Sequence, residues 1–144
     1  MTEPQLNQDV VNKVQDMLLA IAQGVTLVQK GVFSVRNGSA RAFVEVRTRD
    51  TFSWVRIAVP LLRGVPASPE LADYVAHDDS YIFGHLYLDK WDDGTAVFFV
   101  HSLLADYLDE AELGHALGGM MGVADDLDDE LKARFGGERF HEDD

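Results

Sequence analysis

The residues best suited to chemistry lie in "ADDLDDELKARFGGERF", residues 124–140, where Asp125, Asp126, Asp128, Asp129 and Glu130 fall within six positions. Carboxylates at that density could hold a cation. A calcium loop of the EF-hand type needs oxygen ligands at positions 1, 3 and 5 and a glycine at 6. Counting from Asp126 supplies Asp128 and Glu130 but puts Leu131 sixth, and counting from Asp125 puts Leu127 third. The spacing fits a helix better than a metal loop.

His77, His85, His101, His115 and His141 form no H-x-x-x-H pair, and the chain has no cysteine. Thiolate metal sites, disulfides and a cysteine nucleophile are thereby excluded. "HDDS" at residues 77–80 leaves His77, Asp78 and Asp79 available to a metal-dependent or small-molecule-sensing site, or simply to a polar loop between helix and strand. The sequence contains no G-x-S-x-G, no Walker A loop and no G-x-G-x-x-G. Gly114 and Gly119 have phosphate-loop spacing, but Met120 follows where Lys-Ser/Thr is required. Asn37-Gly38-Ser39 matches a glycosylation sequon and reads as a hairpin turn. The expectation is no catalytic residue, no metal and no cofactor, and a protein that is not an enzyme.

Two patterns have the character of surfaces. Gly114, Gly118 and Gly122 recur every four residues in "GHALGGMMG", on one face of a helix. Each glycine there costs about 1 kcal/mol relative to alanine. Close backbone packing inside the domain or a flat face for a second chain would compensate, and a kink at Gly118-Gly119 is a third possibility. Arg41, Phe43, Arg47, Trp54 and Arg56 alternate with apolar residues on two adjacent strands. Guanidiniums beside aromatic faces suit an extended acidic or aromatic peptide. The protein's own helix could equally cover that face, or the acidic helix of a partner subunit could.

The elements that must position these residues follow from periodicity. Leu6, Val10, Val14, Met17 and Ile21 predict a helix over residues 3–23, with Thr2 and Gln5 at capping-box spacing, Pro4 in the first turn and Gly24 as its stop. "VFSV" at 32–35, "ARAFVEVRT" at 40–48 and "FSWVRIAVPLL" at 52–62 predict strands, Ala42, Val44, Val46, Val55, Ile57 and Val59 facing the core. Pro60 suggests a strand end or edge. Ser68 and Pro69 open a short helix, and residues 81–91 and 95–104 form a hairpin around Asp92-Asp93-Gly94. Leu113, Leu117, Met120, Ala124, Leu127, Leu131 and Phe135 mark a long helix from about 109 to 135, ended by Gly136-Gly137, with "ERFHEDD" frayed beyond it. Asp128 and Lys132, and Glu130 and Arg134, are spaced for exposed ion pairs on it. The order α-β-β-β-α-β-β-α predicts one α+β domain over residues 1–144, its sheet largely antiparallel and packed by the first and last helices.

Bulk properties agree with a globular chain of 144 residues that is 47% hydrophobic. No apolar run reaches the length of a membrane span, and "MTEPQLNQDV" does not resemble a secretory signal, so a cytoplasmic location is expected. The net charge of −13 disfavours nucleic acid and anionic membranes as partners. That charge is uneven: residues 30–63 carry +5 and the remainder −18.

With these elements in order, the chain resembles the YbjN-like branch of the type III secretion chaperone-like superfamily. "ADDLDDELKARFGG", "VRIAVPLLRGVP" at 55–66 and the hairpin ending in "FFVHSLL" at 98–104 are similar to that branch. The resemblance covers nearly the whole chain. It implies a small, acidic, cytoplasmic, non-enzymatic protein, often a homodimer, that binds peptide segments or regulates protein partners. It supplies no catalytic residues.

Overall fold

Strict alternation in residues 40–59 commits one side of each strand to the interior, and the structure is built on that commitment. The computed structural model describes residues 6–38 and 40–140. The chain runs α1 (Gln8–Ile21), β1 (Gly24–Gln29), β2 (Val32–Asn37), β3 (Ala40–Arg49), β4 (Phe52–Val65), α2 (Pro69–His77), β5 (His85–Trp91), β6 (Gly94–Leu104), α3 (Glu110–Phe135) and β7 (Glu138–Arg139). The strands form one sheet in the order β1-β2-β3-β4-β6-β5, with β7 added against β4. Every pairing is antiparallel.

Ala42, Val44, Val46, Val55, Ile57 and Val59 are buried, as their alternation predicts. They share one core with Val10, Val14 and Leu18 of α1 and Leu113, Leu117, Met120 and Leu131 of α3. Burying each valine, leucine, isoleucine or methionine side chain among them contributes about 1.5–3 kcal/mol. Both long helices thus lie on one side of the sheet. Polar bonds tie the layers at one end: the Ser53 N–H donates to Asp106 Oδ2 at 2.8 Å, and Lys13 Nζ donates to the Ala105 carbonyl at 3.2 Å.

Local chemistry sets the helix ends. Asn7 caps α1, its side chain accepting from the N–H groups of Asp9 and Val10. Thr2, Pro4 and Gln5 lie outside the described residues, as does Ser39. Ser68 Oγ accepts from Leu71 N–H at 3.1 Å, with Pro69 in the first turn of α2. Asp109 caps α3, which runs unbroken for 26 residues through Gly118, Gly119 and Gly122, with no break at Gly122. The acidic run is therefore helical throughout.

Several expectations need correction. β1 was not legible: five of its six residues are exposed, so its sequence lacks the alternation a half-buried strand would show. α1 stops at Ile21, and Gly24 opens β1 rather than ending the helix. Pro60 lies inside β4 and not at its end, on a stretch of strand edge between the β3 and β7 pairings, so the edge alternative holds. The β3–β4 ladder has stopped at Phe43–Ala58, and the β4–β6 register shifts between Pro60 and Leu62, so a residue without an N–H is accommodated where the pairing is already interrupted. Residues 81–84 precede β5 instead of forming it.

"ERF" is not frayed. Glu138 pairs with Arg63 and Arg139 with Leu62 across the β7–β4 ladder. Gly137 makes this return possible: its φ is +90°, and a Cβ there would lie 2.9 Å from the Arg63 carbonyl oxygen. His141 and the residues after it lie outside the described residues.

Candidate functional site

The parity that buries Val44 and Ile57 turns Arg41, Phe43, Arg47, Trp54 and Arg56 to the opposite face of the sheet, away from α1 and α3. The core of both long helices lies on the other side, and α3 reaches this face only at its Arg41–Phe43 end, where Ala124, Asp125 and Asp128 line a shared cavity. Arg47 pairs with Trp54 across the β3–β4 ladder, Glu45 with Arg56 and Phe43 with Ala58. Arg47 Nη2 lies 2.9 Å from Glu45 Oε2. The Phe52 and Trp54 rings are 5.6 Å apart. The Arg56 guanidinium lies over the Tyr87 ring, 5.8 Å from its centroid. Arg41 sits at the other end of β3, lining a cavity of about 250 Å³ with Phe43, Pro60, Arg63, Asp125 and Phe140.

Sequence reasoning found only the β3–β4 half of this face. Registers across β4–β6 and β5–β6 place Leu104, Phe98, Tyr87 and Trp91 on the same side. Tyr87 is 43% exposed and Leu104 52%. Phe140 joins them, its ring 5.5 Å from Trp91 and 5.7 Å from Phe98. The signal was present in residues 85–104, whose outward positions alternate as those of β3 and β4 do. Phe140 could not be placed, because its position depends on β7.

The charge asymmetry has a spatial form. Arg36, Arg41, Arg47, Arg49 and Arg56 share the outward parity of β2, β3 and β4, against Glu45 on the same strands. α3, on the far side, carries the Asp125–Glu130 run. The sheet face is thus a field of guanidiniums and aromatic rings. It can hold an extended segment by charge, stacking and apolar contact.

The acidic run has a basic neighbour within the chain. Arg139 Nε lies 3.3 Å from Asp128 Oδ1, and its Nη2 also bonds Asp129. Asp128 is only 3% exposed, so it is not the exposed acid that its spacing from Lys132 predicts. Arg134 lies over the Tyr74 ring, 4.9 Å from its centroid.

The glycine face points outward. A Cβ on Gly118 or Gly122 would meet nothing within 4 Å, and one on Gly114 would only touch Ile21 at 3.9 Å. Close backbone packing inside the domain therefore does not explain Gly118 or Gly122. The tight position is Gly119, where a Cβ would lie 3.1 Å from Phe83. Ile82, 90% exposed, and Val123 flank this face.

At "HDDS", both oxygens of Asp78 are already engaged. Oδ1 accepts from Ser80 Oγ at 2.6 Å and Ser80 N at 3.2 Å, and Oδ2 accepts from Tyr81 Oη at 2.7 Å. Burial alone would raise the Asp78 carboxyl, but these hydrogen bonds outweigh it and hold the group below its ordinary value. Burial, with the bond to Asp78 and its charge, pushes the Tyr81 hydroxyl well up. His77 Nδ1 lies 2.9 Å from the Asp73 carbonyl oxygen. His101 is half-buried and accepts the Gly84 N–H at Nδ1, 3.0 Å away. Burial, then the neighbouring His85, lowers its pKa. Among the described residues, no three His, Asp or Glu side chains gather as a metal site. No helix among them is long and apolar enough to cross a membrane.

Residues 5–143 match the model of the family described as T3SS (YopN, CesT) and YbjN peptide-binding chaperone 1. No curated protein matches the chain.

Proposed function

The chain belongs to this peptide-binding chaperone family, and on that premise we propose that it is a non-enzymatic adaptor or regulator that holds an extended protein segment on its outer sheet face. The observation that carries the reading is the shared parity of Arg41, Phe43, Arg47, Trp54 and Arg56, opposite the core that α1 and α3 share with the sheet, with α3 reaching only the cavity at the Arg41 end. Trp54 and Tyr87 offer flat apolar contact, and the arginines select an acidic or aromatic segment over a basic one. The protein works without a cofactor and in the cytoplasm. Nucleic acid and membranes are not its partners.

The test is recovery of bound proteins by the native chain and by an Arg47→Glu/Trp54→Ala variant. The variant is expected to lose the partner. Equal recovery by both would remove this face from the site.

The protein is further proposed to be a homodimer joined through Gly114, Gly118 and Gly122. The support is local: Gly118 and Gly122 are open on the outer side of α3, and exposed Ile82 and Val123 border them. A monomer by light scattering at micromolar concentration would overturn this part.

A further inference from the structure

Residues 138–140 lie on the sheet in the manner of a bound ligand. Residues 138 and 139 pair their backbone with β4 at Arg63 and Leu62. Side chains alternate from there as on any strand. Glu138 faces Arg63, Oε2 to Nε 3.9 Å. Arg139 turns to the other side and meets Asp128 and Asp129. Phe140 returns to the outer face between Trp91 and Phe98, with the Arg63 guanidinium 6.0 Å from its ring centroid. The main chain supplies the ladder, and one acidic and one aromatic side chain, two residues apart, read the surface.

This hold is short. β7 has two residues, and the Glu138 side chain is 70% exposed. Immediately beside it, between the last β3–β4 pair at Ala58 and the first β7–β4 pair at Leu62, the β4 edge borders the cavity lined by Arg41, Phe43 and Phe140.

We propose that the client of the outer face is an extended segment with an acidic residue two positions before an aromatic one, and that Glu138–Phe140 is an intramolecular occupant of its seat, displaced when the client binds. The proposal rests on the binding reading above and specifies its partner. The occupant is tethered, so it acts at millimolar effective concentration and weakens capture of any competing segment. Free client is held only when it out-competes Glu138–Phe140.

The probe is a fluorescent peptide of residues 136–144, GGERFHEDD, titrated by anisotropy against full-length chains. A Phe140→Ala chain is expected to bind it about tenfold or more tightly than the native chain, because the tethered competitor has lost its aromatic anchor. A peptide with its Phe replaced by Ala should not bind. Adding Arg63→Glu to the Phe140→Ala chain should abolish capture, and a peptide carrying Lys in place of Glu138 should restore it. A Glu138→Lys chain serves as a second opened form, and thermal unfolding identifies which opened form is folded. Equal affinity of native and opened chains, or no binding by a folded opened chain, overturns the proposal. Partner recovery that still depends on Arg47 and Trp54 would then leave the binding reading standing without this client. Peptide capture as expected, with recovery insensitive to Arg47 and Trp54, would instead place the binding function at the β4–β7 end of the face.

Discussion

Arg139 reaches back from β7 to the buried carboxylate of Asp128 on α3, closing the C-terminal turn with a charged contact of 3.3 Å. The two residues are eleven apart in sequence and belong to different layers. The contact joins the helix layer to the sheet at the one place where β4 takes a third strand.

Asp128→Ala is expected to destabilise the protein by about 2 kcal/mol, since the arginine is left in a part-buried position without that carboxylate. Arg139→Met should have a similar effect, and the double variant should cost less than the sum. Urea unfolding of the four proteins measures this, and simple additivity would show that the contact carries little energy.

The glycines of α3 should separate into two kinds. Gly118→Ala and Gly122→Ala each stabilise an isolated chain by about 1 kcal/mol, because the added methyl meets nothing and the helix gains propensity. Gly119→Ala gains less or loses, because Phe83 must give way. If copies meet on this face, Gly118→Leu weakens the dimer while the monomer stays folded. Thermal melts and light scattering on the same samples separate the two effects.

Acid should loosen the segment leading into β5. His101 accepts the Gly84 N–H only when neutral, and its folded pKa lies below the ordinary value. The unfolded chain therefore binds the proton first as pH falls. This contribution to stability is fully present above about pH 6.5 and is lost as pH falls through the lowered value. Urea midpoints between pH 7.5 and 5, compared with those of a His101→Gln chain, isolate it. The native protein should lose more than the variant over that range.

Partner binding through the outer face should weaken with salt. Exposed guanidiniums are screened over about 10 Å at 0.1 M ionic strength. Affinity for an acidic segment should fall as salt rises from about 50 to about 500 mM. Affinity unchanged across the range would assign the binding to aromatic contact alone.

How much of this was legible in the sequence depended on burial. β3 and β4 declare themselves because Val44 and Ile57 are wholly inside while Arg47 and Arg56 are not. Asn7, Ser68 and Asp109 cap helices by local bonds, and of the three the sequence reading named only Ser68 as a cap. Asn7 was passed over because the helical stripe continues upstream to Leu6. β1 and β7 were invisible for a common reason: each is defined by the strand beside it rather than by its own side chains. The same holds for the site. Arg47 and Trp54 could be put on one face from alternation, whereas Tyr87, Trp91 and Phe140 required the order of the strands.

The β4–β7 pairing also has a temporal side. Leu62 and Arg139 are far apart along the chain, and contacts of long sequence separation form late. Chains are made from the N-terminus, and elements settle as they emerge. Six strands and most of α3 are complete before Glu138 leaves the ribosome. A nascent chain therefore displays the β4 edge, Trp91 and Phe98 before the residues that fasten over them exist. The short segment that follows α3 decides when that surface closes.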